Sequence, residues 1–253
     1  MTALEMTDEQ RFLFDLQGYL VIEGALPPEQ VERMRATMDA HGISKPSNDP
    51  GRSRFSGFLD WGPEWRALLD HPRTLPVLRG VIGEKFRLDH VYGMAMRADG
   101  ERGGEGLHHE AAMFDYGCFH VSHGARMHNG LVVVSFALND VPAGAGGFCC
   151  IPGTHKSIYP PPPQVYDVDH PLVRHVPVRA GDVLVFSEAL THGTMPWTET
   201  RWERRAILLK YCPAYMQWGH IQMTVADSSA FTAQQLRILA PACAWQRKPV
   251  VEG

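Results

Sequence analysis

The stretch 181–211, GDVLVFSEALTHGTMPWTETRWERRAILLKY, constrains the fold most, because it holds two apolar runs of strand length that each carry chemistry at one end. Val183, Leu184, Val185 and Phe186 follow the turn residue Gly181, and Ala206, Ile207, Leu208 and Leu209 follow a polar loop. Runs this short, bounded by turn residues and partly β-branched, are predicted as strands. His192 closes the first and Arg204 and Arg205 open the second. Neighbours on a strand point to opposite faces, so only one of the two arginines can share an interior with His192. A guanidinium beside an imidazole points to an anionic ligand near a metal ion.

The rest of the chain supplies helices first and strands later. Thr7 and Gln10 form a capping-box spacing ahead of Phe12, Leu13 and Leu16, with Gly18 where the helix would end and a strand at 19–22. Pro27 and Pro28 precede a helical pattern in which Val31, Met34 and Met38 share a face, ended near Gly42. The turn-like composition of 44–57 predicts a loop. Two short helices are expected around Trp65, Leu68 and Leu69 and around Val77, Leu78, Val81 and Ile82. Extended segments follow at 86–96, 131–138, 148–151 and 173–178, joined by Gly/Pro turns, as in sandwiches and jelly rolls. Pro160 to Pro163 read as a stiff spacer.

Composition excludes several classes of partner. With 253 residues and 44% hydrophobic content the chain can bury a full core in one domain. A formal charge of −4 with mixed signs offers no basic stripe for nucleic acid and no polybasic segment for a membrane surface. No apolar run approaches the roughly 18 residues of a membrane span, and the acidic N-terminus is unlike a secretory signal, so a cytoplasmic protein with a small-molecule partner is expected. Five cysteines without CxxC spacing argue against a disulfide framework or a structural zinc site, and reduced, buried thiols are expected. The sequence leaves the oligomeric state open.

The second chemical stretch is Leu107-His108-His109-Glu110. Residues two positions apart on a strand share a face, so His108 and Glu110 can bind one ion from one side, with His192 as third ligand. That is the two-histidine, one-carboxylate set of non-haem Fe(II) oxygenases.

Together these segments resemble the phytanoyl-CoA dioxygenase family of Fe(II)- and 2-oxoglutarate-dependent oxygenases. The resemblance runs from QGYLVIEGAL through LHHE and ALNDVPAGAGGFCCIPGTHKS to GDVLVFSEALTHG and the RRA beyond it, nearly the whole chain. It implies a mainly β protein, a double-stranded β-helix (jelly roll) with N-terminal supporting helices. In this chain that means helical support over 1–85, a β-helix core over about 86–215 and a C-terminal extension over 216–253. It further implies iron held by His108, Glu110 and His192, and 2-oxoglutarate held by Arg204, with Arg205 and Arg201 as runners-up, while Thr194 and His109 are placed to touch the co-substrate. The implied reaction consumes O2 and 2-oxoglutarate, releases succinate and CO2, and hydroxylates a small organic molecule.

Two departures stand out: Glu110 replaces the usual aspartate, and Ser135 and Phe136 precede Ala137 and Leu138 where the family often has tryptophan. Read from His109 instead, the motif is H-x-A, as in related iron halogenases, with Ala111 in the carboxylate position. A jelly roll that binds a ligand without turnover is the other alternative. His155 is expected to be structural or at the surface. His120, His123 and His128 are expected in a loop over the site, where Phe114, Tyr116, Phe119 and Arg126 would contact substrate.

Overall fold

The computed structural model describes residues 5–43, 52–98, 105–109 and 117–251. Helix α1 (Asp8–Gln17) starts as predicted, the Thr7 hydroxyl accepting from the Gln10 N–H while the Gln10 side chain accepts from the Thr7 N–H. Gly18 ends it at φ +83°. A Cβ there would also lie 2.6 Å from His155 Nδ1, so both conformation and close approach require glycine. The buried side chain of α1 is Phe14, with Leu13 partly buried against the same core, whereas Phe12 and Leu16 are 65% and 53% exposed. Helix α2 (Pro28–Ala40) buries Val31, Met34 and Met38, and α3 (Pro63–Arg66) and α4 (Leu75–Val81) are the two short helices expected.

Two antiparallel sheets carry the architecture. The larger has the order β1 (Tyr19–Ile22), β10 (Val183–Ser187), β7 (Val132–Ala137), β12 (Arg204–Pro213), β3 (Phe86–Met96) and β2 (Arg52–Phe55). The smaller has the order β4 (Glu105–His108), β11 (His192–Met195), β8 (Gly147–Cys150) and β9 (Arg174–His175). This is the double-stranded β-helix the sequence implied. Along β10, Val183 and Val185 join the helix-side core while Leu184 and Phe186 join the core between the sheets. A strand buried on both faces reads as an uninterrupted apolar run, which is why this one was so visible in sequence.

Several segments differ from expectation. Part of the predicted loop 44–57 is strand β2, paired to the edge of β3, and its Phe55 ring occupies the space a side chain at Gly93 would need. Residues 44–51 lie outside the described residues. The histidine-rich loop is a hairpin of β5 (His120–His123) and β6 (Arg126–Asn129), turned by Gly124 and Ala125, both at positive φ. Two consecutive left-handed residues give the twist that a tight hairpin needs. Strand β9 has two residues where six were expected, with an isolated bridge between Val141 and Val178 beyond it. Cys118, Cys149, Cys150 and Cys212 are buried free thiols, but Cys243 is exposed.

The chain after β12 folds back on the sheet. The buried Asp89 carboxylate accepts from the backbone N–H groups of Trp218 and Gly219, and α5 (Ala233–Leu239) contributes Ile238 to the helix-side core. No helix among the described residues is long and apolar enough to cross a membrane.

His155 is structural, as expected: it is buried, and its Nε2–H donates to the Asp15 carbonyl at 3.1 Å, tying the turn after β8 to α1. Burial pushes its pKa down to about 3, with the neighbouring His120 adding to the effect, and burial pushes His71 down to about 4. Between those values and the ordinary value near 6.5 the unfolded chain binds protons that the folded chain excludes, so stability falls as pH drops below about 6.5. At pH 5 each such histidine costs about 2 kcal/mol. Urea denaturation of His155→Gln at pH 7 and pH 5 should therefore show a pH-dependent loss smaller than wild type by about 2 kcal/mol.

Candidate active site

Two histidines face each other because β4 and β11 pair with His108 directly opposite His192. Directly opposed residues of an antiparallel pair present side chains to the same face, and here the ring centroids are 4.3 Å apart. The His192 Nδ1–H donates to the Leu190 carbonyl at 2.6 Å, which leaves the Nε2 lone pair facing the space between the sheets. Phe186 packs against the His192 ring at 4.8 Å and Phe148 at 6.0 Å. Burial holds the imidazole neutral, with a pKa lowered to about 4. A buried, neutral, oriented imidazole is the protonation state a metal ion binds.

These histidines line a cavity of about 560 Å³ between the two sheets. Alternation along β12 sends Arg204, Leu208 and Lys210 into it, and Ile207, Leu209 and Tyr211 into the helix-side core. Arg205 leaves in that second direction and pairs with Asp39 of α2 at 2.7 Å and with Glu203 at 3.0 Å. Arg201 is exposed and pairs with Glu199. Arg204 is buried, with Met94 Sδ at 3.4 Å and Met96 Sδ at 3.3 Å from its guanidinium, and no described carboxylate forms an ion pair with it. Burial lowers its pKa to about 10, the Tyr92 hydroxyl opposing the shift, so it stays cationic at neutral pH. Thr194, two residues beyond His192 on β11, lines the same cavity, as does Ser135.

Two groups on this wall were missed in the sequence. Glu188, in the turn between β10 and β11, places Oε2 3.8 Å from His192 Nε2 and Oε1 2.7 Å from Lys210 Nζ. Burial opposes charge on both, yet the carboxylate ends below its ordinary pKa and the ammonium above its own, each held charged by the other across the 2.7 Å pair. Two signals were available: Glu188 precedes His192 by four residues, and Lys210 shares strand parity with Arg204.

The remaining expected residues fall as follows. Glu110 lies outside the described residues, as do Phe114, Tyr116 and Ala111. His109 does not line the cavity; its Nδ1 is 2.7 Å from the Thr191 hydroxyl on the far side of β4. Phe119, His120, His123, Arg126 and His128 are also absent from the cavity wall; His120 bonds Asn129 and Ser122 and meets His155 edge-on. Among the described residues, no three or more His, Cys, Asp or Glu side chains are grouped so that they could hold a metal ion.

At the cavity mouth, Lys210 Nζ lies 5.7 Å from the Tyr92 ring and 6.0 Å from the Trp218 ring, and His90 stacks on Trp218. Residues 14–206 match the sequence profile of the phytanoyl-CoA dioxygenase family. The fold is similar to that of HygX from Streptomyces hygroscopicus, solved with nickel and 2-oxoglutarate bound, at 25% identity and a TM-score of 0.73 over 88% of this chain and 93% of that one. It is also similar to the epimerase SnoN, solved with Fe3+, alpha ketoglutarate and nogalamycin RO, at 19% identity and a TM-score of 0.63 over 82% of this chain and 84% of that one. AviO1 from Streptomyces viridochromogenes Tue57 shares the fold at 19% identity and a TM-score of 0.61 over 83% of this chain and 96% of that one. The cavity between paired sheets, the opposed histidines and the match over most of the length lead to one assignment: the chain belongs to the phytanoyl-CoA dioxygenase family of 2-oxoglutarate-dependent oxygenases.

Proposed function

We propose that this protein hydroxylates a C–H bond of a small polar organic molecule, using iron(II), O2 and 2-oxoglutarate and releasing succinate and CO2. The observation that carries the reading is Arg204, a buried cation whose guanidinium donates to the thioether sulfurs of Met94 and Met96 and forms no ion pair with a described carboxylate, in the same cavity as His108 and His192. A buried charge left without a counter-ion is costly, so the site is built for an anion of dicarboxylate type that reaches from arginine to metal. HygX, solved with nickel and 2-oxoglutarate bound, supports that identification.

The donor set fits the metal: His108 and His192 supply imidazoles, that of His192 held neutral by burial, and the family pattern assigns the carboxylate to Glu110. Bound iron supplies the electron chemistry that O2 activation requires. The protein's own side chains bind, orient and exclude water. Arg204 grips the far carboxylate of 2-oxoglutarate, and the Thr194 hydroxyl, on the face of His192, donates to the same group. Phe148 and Phe186 keep water from the histidine wall. Tyr92, Trp218 and His90 at the mouth suit a polar substrate with a planar or sugar-like face.

His108 lining the cavity while His109 bonds Thr191 supports reading the motif from His108, and therefore hydroxylation over halogenation. The free thiols support a reducing, cytoplasmic setting. Succinate formation that depends on both iron(II) and 2-oxoglutarate, followed by mass analysis of product from a panel of polar small molecules, tests the reading. A protein that binds metal and 2-oxoglutarate without ever forming succinate would be a ligand-binding jelly roll instead, and chloride in the product would mark a halogenase.

Arg204→Ala should raise the KM for 2-oxoglutarate about 10- to 100-fold, the equivalent of a charge-assisted hydrogen bond, while iron content is retained. Arg205→Ala, losing only contacts to Asp39 and Glu203, should change that KM less than about threefold. Metal analysis after gel filtration should find iron lost from His108→Ala and His192→Ala and kept in His109→Ala.

A further inference from the structure

We infer that His90 and Lys210 form a subsite for a hydroxyl group of the substrate and that Asp89 is the residue positioning His90, an inference that rests on the proposed function for the cavity's role as an active site. His90 and Lys210 stand directly opposite each other on the paired strands β3 and β12, so their side chains leave the sheet on one face, and both line the cavity. The ladder is irregular at this point. Lys210 pairs with His90 and Tyr211 with Leu88, so Asp89 is an extra residue without a partner on β12, a bulge within β3. Bulges re-aim side chains, and they concentrate beside functional sites. Here the bulge brings the Asp89 carboxylate to the ring of its own neighbour, with Oδ2 2.9 Å from His90 Nδ1.

Asp89 is 1% exposed and has other donors: Oδ1 accepts from the Trp218 N–H at 2.8 Å and from Arg87 Nη1 at 3.4 Å, and Oδ2 accepts from the Gly219 N–H at 2.9 Å. Burial opposes its charge, yet the bonds from His90 and from the two backbone N–H groups hold its pKa below the ordinary carboxylate value. An ionised carboxylate only accepts, so His90 Nδ1 carries the proton, and in the neutral ring Nε2 is left as an acceptor with no partner among the described residues. The ring plane is fixed as well, stacked against Trp218 at 5.4 Å and Tyr92 at 6.4 Å and tilted from them by 22° and 16°. Lys210 supplies the complement. Its ammonium gives one N–H to Glu188 Oε1 at 2.7 Å and carries two more. A hydroxyl suits this pair because a single oxygen accepts from the ammonium and donates to Nε2. A carboxylate would set its lone pairs against Nε2, a substrate ammonium would be repelled by Lys210, and an ether has no proton to give.

Two measurements on the full-length protein, with Zn(II) and 2-oxoglutarate added, test the subsite. Nitrogen-15 NMR of the imidazoles at pH 8 should find His90 in the Nδ1–H tautomer, and Asp89→Asn should move it towards Nε2–H, a signature that a merely structural role for Asp89 would not alter. Ligand-observed NMR then compares cyclohexanol, benzyl alcohol and methyl β-D-glucopyranoside with their fully O-methylated counterparts. At least one alcohol should bind at least about 10-fold more tightly than its ether, since a site built to bond a hydroxyl rejects the analogue lacking one. His90→Phe, which keeps a flat ring against Trp218 but has no acceptor, should bring alcohol and ether to equal affinity. Should Asp89→Asn fail to fold, the wild-type tautomer and His90→Phe still decide. An Nε2–H tautomer in wild type overturns the inference, and so does an alcohol preference that is absent from wild type or survives in His90→Phe. Succinate formation without that preference removes the subsite and leaves the proposed reaction standing. The preference without succinate formation supports the subsite and removes the reaction.

Discussion

The pairing of β4 with β11 is the constraint on which the site depends, because it alone brings His108 opposite His192. A slip of one residue would turn His108 away from the cavity and present Leu107 or His109 in its place. The register is fixed from three directions. Strand β11 is also paired to β8, so His192 lies in a row with His108 on one side and Cys150 on the other. Leu107 packs with Cys149, Ile151 and Val165 on the opposite face of the same sheet. Thr191 holds His109 on that outer face as well. Apolar packing on one side of β4 thus aims the imidazole on the other.

Electrostatics inside the cavity follow the same division. Exposed pairs such as Arg201 with Glu199 contribute little in water, and Arg205 meets its partners near the surface of α2. Arg204 is the costly one: held among methionine sulfurs, it gives up hydration without an ionic partner among the described residues, a penalty on the order of several kcal/mol before a ligand arrives. Such a site trades stability for affinity. Thioether neighbours suit this, since they fill space and accept weakly, and so leave the guanidinium able to bind the carboxylate that the proposed function assigns to it. Glu188 and Lys210, by contrast, neutralise each other within the wall and leave the carboxylate oriented.

The mouth of the cavity is assembled from distant parts of the chain. Asp89 caps the Trp218 and Gly219 backbone while its other contacts go to Arg87 and His90, so a single buried carboxylate links β3 to the segment after β12. Trp218 is thereby set against His90 and Lys210. We propose that substrate choice lies in this polar, aromatic part of the lining, beside the residues to which the proposed function assigns metal and co-substrate.

Much of this was legible in the sequence where a pattern depends on the chain alone. The capping box at Thr7, the Val31, Met34 and Met38 stripe, the doubly buried run of β10 and the alternation that separates Arg204 from Arg205 all follow from local geometry, since a strand or helix decides which neighbours share a face. Local geometry could not reveal which apolar face of α1 is buried, that 52–55 adds a strand to β3, or that the histidine-rich segment forms a hairpin whose side chains do not line the cavity, because each depends on a partner far away in sequence. The same reason hid the pairing of Glu188 with Lys210: the spacing to His192 and the strand parity with Arg204 can be read from the chain, but the two side chains meet only because antiparallel pairing of β10, β7 and β12 brings the turn after β10 against the middle of β12. Sequence determined the kinds of side chain available and their faces; tertiary structure decided which of them meet, because burial and opposition across strands are properties of the pairing and not of the residues.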